Sequence, residues 1–308
     1  MILHTGMRTD IPAFYSRWFL NRLEAGFVLV RNPFDPSAVT RYRLDPAVVD
    51  LIGFCTKNPA PMLPHLEALR GYGQHWFVTI TPYGKDIEPN VPAKEQVMDS
   101  LLALSEALGP HRVAWRYDPI LISETYSVSR HLSDFESMAR RLAGATDTCV
   151  ISFIDLYEKV KRDFPEARPV QQADRMILVS RMAEIAAGCG MTLKTCGEDG
   201  EPAAWGADVS GCMTVGMYEK ALGERLKPPA FKPVRRECAC WLGSDIGAYH
   251  SCGHLCRYCY ANDDAALVRH NLGRHDPASP FLIGNSMPGD RIHQARQESW
   301  IDRQLSFL

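Results

Sequence analysis

The sequence predicts an α/β fold: a TIM-like (β/α) barrel, complete or partial, with a loop-rich, cysteine-rich cap at its C-terminal end. Three observations predict it. Short apolar runs rich in Val, Ile, Phe and Trp alternate with amphipathic stretches through the first 200 residues, in about seven units. The turn after the first run reads TGMRTD, without the glycine pattern of a doubly wound dinucleotide-binding sheet. From about residue 205 the alternation stops, and prolines, glycines and cysteines take over. This places a barrel-like domain at residues 1–204 and a cysteine-rich cap at 205–308, packed on the barrel mouth.

Residues 1–5 open as a strand. Residues 12–23 follow as a helix, with Asp10 as a cap and Pro12 in the first turn. Residues 27–31 form the second strand candidate, and the NPFDPS turn with a β-like run at 39–44 predicts a hairpin there. Residues 51–56, 76–81, 113–117, 149–153 and 192–196 are the remaining strand candidates. Between them, helices are expected over 92–108 (Val97, Leu101, Leu104 and Leu108 on one face), 131–142 (Leu132, Phe135, Ala139, Leu142) and 172–187 (Met176, Val179, Ala183, Ala186).

The chain has 308 residues, 46% hydrophobic and 23% charged, enough for one large domain or two smaller ones. A net charge of −2 gives no electrostatic case for nucleic acid or an anionic membrane as partner. No apolar run approaches the ~18 residues that span a bilayer. The opening MILHTGMRTDIPAFY lacks the parts of a secretory signal, so a cytoplasmic location with reduced thiols is expected.

A barrel does its chemistry at the C-terminal ends of its strands. Those ends carry Arg8 and Asp10, Arg31, Lys57, Thr81, Arg116 and Asp118, Ser152 through Asp155, and Cys196 with Glu198. Arg8 and Arg116 are candidate anion clamps, because a guanidinium grips carboxylate or phosphate with two parallel bonds. Asp118, Asp155 and Glu198 are candidates for proton transfer or hydroxyl binding, and Asp10 and Lys57 complete the polar ring. A small polar or anionic substrate is the expected partner.

Seven of the ten cysteines lie between Cys196 and Cys259, which in a reducing compartment points to metal or redox chemistry. Cys252, Cys256 and Cys259 are spaced C-x3-C-x2-C, giving a [4Fe–4S] cluster three thiolates and leaving one iron without a ligand from this motif. Cys196, Cys212, Cys238 and Cys240 are four further thiols, the number that closes a second cluster. Zinc is the competing occupant, with His250 and His254 close by in sequence. Cys55, Cys149 and Cys189 fall in apolar stretches and read as structural.

The C-x3-C-x2-C loop, with Tyr258 before its third cysteine, resembles the signature of radical S-adenosylmethionine (SAM) enzymes. That resemblance implies SAM on the open iron, Tyr258 as a cofactor-binding residue, and an electron donor such as a ferredoxin or flavodoxin. Radical SAM enzymes carry the loop after the first barrel strand, whereas here it follows the barrel-like units. The stretches RTDIPAFYSRWFLNRL, VLVRNPFDP, TKNPAPMLP, TPYGKDIEPNVP, WRYDPI, VISFIDLY and DIGAYHSCGHLCRYCYAN resemble domain-of-unknown-function family 1848. The resemblance implies a C-terminal cysteine cluster similar to the radical SAM one. Where that family's opening usually runs S-x-R-R-T-D, this chain has Met7 in place of the first arginine. The alternatives are an iron–sulfur oxidoreductase or electron carrier without SAM, and a binding protein stapled by zinc.

Overall fold

The computed structural model describes residues 1–230 and 238–303. Its strands are β1 (Ile2–His4), β2 (Phe27–Arg31), β3 (Ala38–Arg43), β4 (Leu51–Thr56), β5 (Gly73–Thr79), β6 (Val113–Ile120), β7 (Thr148–Phe153), β8 (Thr192–Thr195), β9 (Ser244–Asp245) and β10 (Arg291–Gln294). Its α-helices are α1 (Ile11–Phe14), α2 (Ser16–Ala25), α3 (Lys94–Leu108), α4 (Val128–Leu142), α5 (Glu158–Asp163), α6 (Gln172–Gly188), α7 (Val215–Leu222) and α8 (Ala265–Gly273).

Seven strands form one sheet in the order β8-β7-β6-β5-β4-β1-β9, and every neighbouring pair is parallel. The two-residue period of the strands sorts side chains onto two faces. Leu3, Ile52, Trp76, Trp115, Tyr117 and Ile151 pack outward against Leu101 and Leu104 of α3, Phe135 of α4 and Leu178 and Met182 of α6. Ile2, Leu51, Phe77, Ala114 and Val150 face the other way, toward Tyr218 and Ala221 of α7 and the segment around Cys240. A sheet apolar on both faces suits an all-parallel arrangement. Two residues further along the inner face come Thr79, Arg116 and Ser152, with Cys55 of β4 in register with Phe77, all toward the C-terminal ends of the strands.

Six of the seven strand candidates take places in this sheet, and β2 does not. The chain returns at once through β3, an antiparallel partner, and the predicted hairpin forms a second sheet in the order β10-β3-β2. Both hydrogen-bonding edges of β1 are taken by β4 and β9, which leaves β2 no place there. Arg31 therefore leaves the mouth of the sheet and pairs with Asp290 at 2.5 Å. The seventh place goes instead to β9, from the region where the alternation stops. Among the described residues β8 and β9 do not pair with each other, so the sheet is not shown to close into a complete barrel. None of these residues forms a helix long and apolar enough to cross a membrane.

Two histidines lie beneath the strand ends. His4 is fully buried, and neither ring nitrogen has a hydrogen-bond partner; Nδ1 of buried His75 also lacks one. Burial lowers His4 to about 4 and His75 to about 3. Between those values and the ordinary 6.5 the unfolded chain binds protons that the folded chain refuses, so stability rises with pH across this window. Stability is expected to hold above pH 7 and to fall by about 3 kcal/mol per histidine as the pH drops from 6.5 toward 4. Denaturant midpoints recorded across this range check it, and His75→Phe should flatten the fall.

Candidate functional site

A cavity of about 580 Å³ opens at the C-terminal ends of the parallel strands. Its walls carry Arg8 and Asp10 after β1, Cys55 in β4 and Lys57 after it, Arg116 and Asp118 in β6, Ser152 in β7 and Asp155 after it, and Cys196 after β8. All seven cysteines of the clustered region line the same cavity. Cys55, expected to be structural, lines it too, because it ends β4 on the inner face.

The loop carrying Cys252, Cys256 and Cys259 begins seven residues after Asp245, the last residue of β9. It is bound by contacts from the segments after β1 and β5 and from α5, which follows β7. His254 Nε2 meets Asp10 Oδ2 at 2.9 Å, and its ring sits edge-on to Phe14 at 4.7 Å. Asn90 donates to Gly253 O (2.8 Å), Tyr15 to Ser251 O (2.5 Å) and Lys159 to Cys259 O (2.6 Å). His250 and Leu255 both adopt φ of 56°, the left-handed region that side chains other than glycine seldom occupy, so this path is imposed by its surroundings. Burial raises the Cys252 thiol and pushes the Cys256 thiol up to about 12, against the pull of Lys57. Such sulfurs ionise readily only against added positive charge, and a metal supplies it.

Asp10 proves to be a hub. Its Oδ1 caps α1 through Ala13 N (3.0 Å), and its Oδ2 accepts from Lys57 N (2.8 Å) as well as meeting His254. Lys57 Nζ donates to Glu88 Oε1 at 2.8 Å. Glu88, which the pattern of the sequence did not single out, is 1% exposed and also accepts from Thr81, Lys94 and Tyr258. Burial alone would raise its carboxyl, but Lys57 and Lys94 hold it down at about 2. The hydroxyl of Tyr258 is thus spent on Glu88, with Lys57 Nζ 5.5 Å from the centre of its ring.

Neither candidate anion clamp is bare. Arg8 donates to Asp245 Oδ2 (2.6 Å) and Asp245 O (2.7 Å). Arg116 pairs with Asp118, whose other oxygen accepts from Ser152. Asp155 accepts from Tyr157 Oη at 3.1 Å. Glu198 is the member of the predicted ring that does not line the cavity. It accepts from Phe153 N (2.8 Å) and pairs with Arg175 of α6 (3.1 Å), and burial raises it to about 7.

The other four cysteines gather across the cavity from the loop. Cys212 Sγ lies 3.3 Å from Cys196 Sγ and 3.3 Å from Cys240 Sγ. Cys240 also interacts with Cys238 and Cys196, and Arg116 Nη1 is 3.9 Å from Cys212 Sγ. Hydrogen bonds from Cys212 and Cys240, joined by Arg116, lower Cys196 well below an ordinary thiol. As they stand, no group of three or more His, Cys, Asp or Glu side chains among the described residues is arranged to hold a metal ion.

No curated protein and no solved structure is significantly similar to this chain. A family profile does match it, over residues 2–261, a span that takes in the sheet, the four-cysteine group and the C-x3-C-x2-C loop. The chain belongs to the family described as domain of unknown function DUF1848.

Proposed function

We propose that the protein is an iron–sulfur enzyme of radical SAM-like type, acting on a small polar substrate in the cavity over the strand ends. The observation that carries this reading is the place of the cluster loop. In radical SAM enzymes the loop follows the first strand of the sheet. Here it follows β9, which is late in the chain but lies parallel to β1 at the edge of the sheet. The order in space therefore begins with the strand that feeds the loop, as in a circular permutation, and sequence position alone is no objection.

Support for a cluster with one open iron comes from the donor types: three thiols on one short loop, all lining a cavity large enough for a small ligand. Cys252, Cys256 and Cys259 would hold it, and once bound it would supply electrons to SAM, opening radical chemistry to the enzyme. The protein's own residues do the rest. Asp10, His254 and Asn90 fix the loop against the sheet. Lys57 places an ammonium beside Cys256, and the Lys57–Glu88–Tyr258 chain of hydrogen bonds fixes that side of the cavity. Arg116, Asp118, Ser152 and Asp155 offer paired, directional groups that suit hydroxyls or amides better than a lone anion. The test is the EPR spectrum of the reduced, anaerobically purified protein with and without SAM. A signal altered by SAM supports the open iron, and iron with no response to SAM moves the reading to electron transfer.

A further inference from the structure

We propose that Cys196, Cys212, Cys238 and Cys240 bind a single tetrahedral divalent ion of the zinc class, distinct from the metal of the cluster loop. Four thiols from three separate stretches of chain meet here: the end of β8, the loop before α7, and the C-A-C segment before β9. Cys212 Sγ stands 3.3 Å from both Cys196 Sγ and Cys240 Sγ. Four sulfurs held at about 2.3 Å from a tetrahedral zinc stand about 3.8 Å apart. These two separations are a few tenths of an ångström too tight for that ion, which the side chains can yield by small rotations. A four-iron cubane puts four metals and four sulfides between its ligands and would have to drive the same sulfurs several ångströms apart. Those side chains are hemmed in by Tyr218, Met213 and Trp241. The single ion is the occupant that this spacing admits.

Charge agrees. Four thiolates around a divalent ion leave two negative charges, and the Arg116 guanidinium, 3.9 Å from Cys212 Sγ, faces them. The ion would tie the end of β8 to the segment leading into β9, so the two edges of the open sheet are joined through metal where hydrogen bonds do not join them.

Metal analysis of the full-length protein, made anaerobically with iron and zinc both supplied, tests this. The expected content is one zinc per chain, retained in Cys256→Ala and lost at least tenfold in Cys240→Ser. Should Cys240→Ser fail to fold, cobalt exchanged into the wild-type protein provides the second readout. A tetrathiolate site gives intense sulfur-to-cobalt absorption and tetrahedral d–d bands. About eight irons and no zinc, zinc that follows Cys256 instead of Cys240, or cobalt without thiolate bands would each overturn the proposal. Zinc at one per chain with no iron at all would leave it standing and sink the radical reading of the loop instead.

Discussion

Glu88→Gln is expected to destabilise the protein by about 3–5 kcal/mol, read as a fall in denaturant midpoint at unchanged slope. Glutamine keeps the shape of the side chain and can still accept from Thr81 and Tyr258. It cannot neutralise Lys57 and Lys94, whose ammonium groups lie 2.8 Å from the two carboxylate oxygens while Glu88 is 1% exposed. Two largely covered cations, Lys57 12% and Lys94 20% exposed, would be left without their shared counter-charge, and removing the buried partner is the costly way to break an ion pair. Adding Lys94→Met to Glu88→Gln should recover part of the loss, since one of the stranded charges goes with it. A change below about 1 kcal/mol would mean that water reaches the lysines and that the network is not a sealed wall of the cavity.

The second large effect is expected at Gly243, just before β9. A Cβ built there would stand 1.9 Å from Ile2 O, a backbone atom of β1 that has no side-chain freedom with which to yield. Gly243→Ala should therefore lift β9 from β1 and cost about 2–3 kcal/mol. Because the C-x3-C-x2-C loop hangs from β9, the variant should also bind less iron while the far-ultraviolet circular dichroism of the sheet and helices stays close to wild type. Gly188→Ala is the control: it lies at the end of α6, and its added methyl meets nothing within 4 Å. If the Gly243 variant binds iron as fully as that control, the edge strand does not position the loop.

The sheet was legible where strand periodicity and apolar runs were strong. Trp76, Val78, Trp115 and Ile151 sit in unbroken β-rich runs, and all of them are core. Helices α3 and α4 showed their faces through repeated Leu, Phe and Val, whereas the expected face of α6 was misplaced: Met176 is 46% exposed, and Leu178, Val179, Met182 and Ala186 are the residues it buries. β9 was not legible, since a two-residue strand has no periodicity; its pairing depends on a glycine that lets two backbones approach. The short α5, α7 and α8 were hidden for a related reason, lying among glycines and charged turns with too few turns to show an apolar stripe.

At the site, the cysteines were legible by spacing, and the structure brings both sets to one cavity. What sequence could not show was partnership. Arg8 looked like an anion clamp because Asp245 is 237 positions away, and Glu88 looked like an ordinary loop acid until Lys57, Lys94 and Tyr258 folded around it. Cys55 was read as a small hydrophobe from its apolar neighbours, yet the pleat of β4 turns it to the inner face beside Gly53 and Leu51. Glu198 has the raised carboxyl expected of a proton carrier but does not line the cavity itself, spending its oxygens on Phe153 N and Arg175.

The most direct test of the open-cluster reading is the EPR spectrum of the dithionite-reduced, anaerobically purified protein, recorded before and after adding SAM, with Cys256→Ala alongside. The account predicts a reduced-cluster signal in the wild type whose g-values shift when SAM is added, and no such signal in the variant. A cluster signal indifferent to SAM, or one that survives Cys256→Ala unchanged, would contradict it.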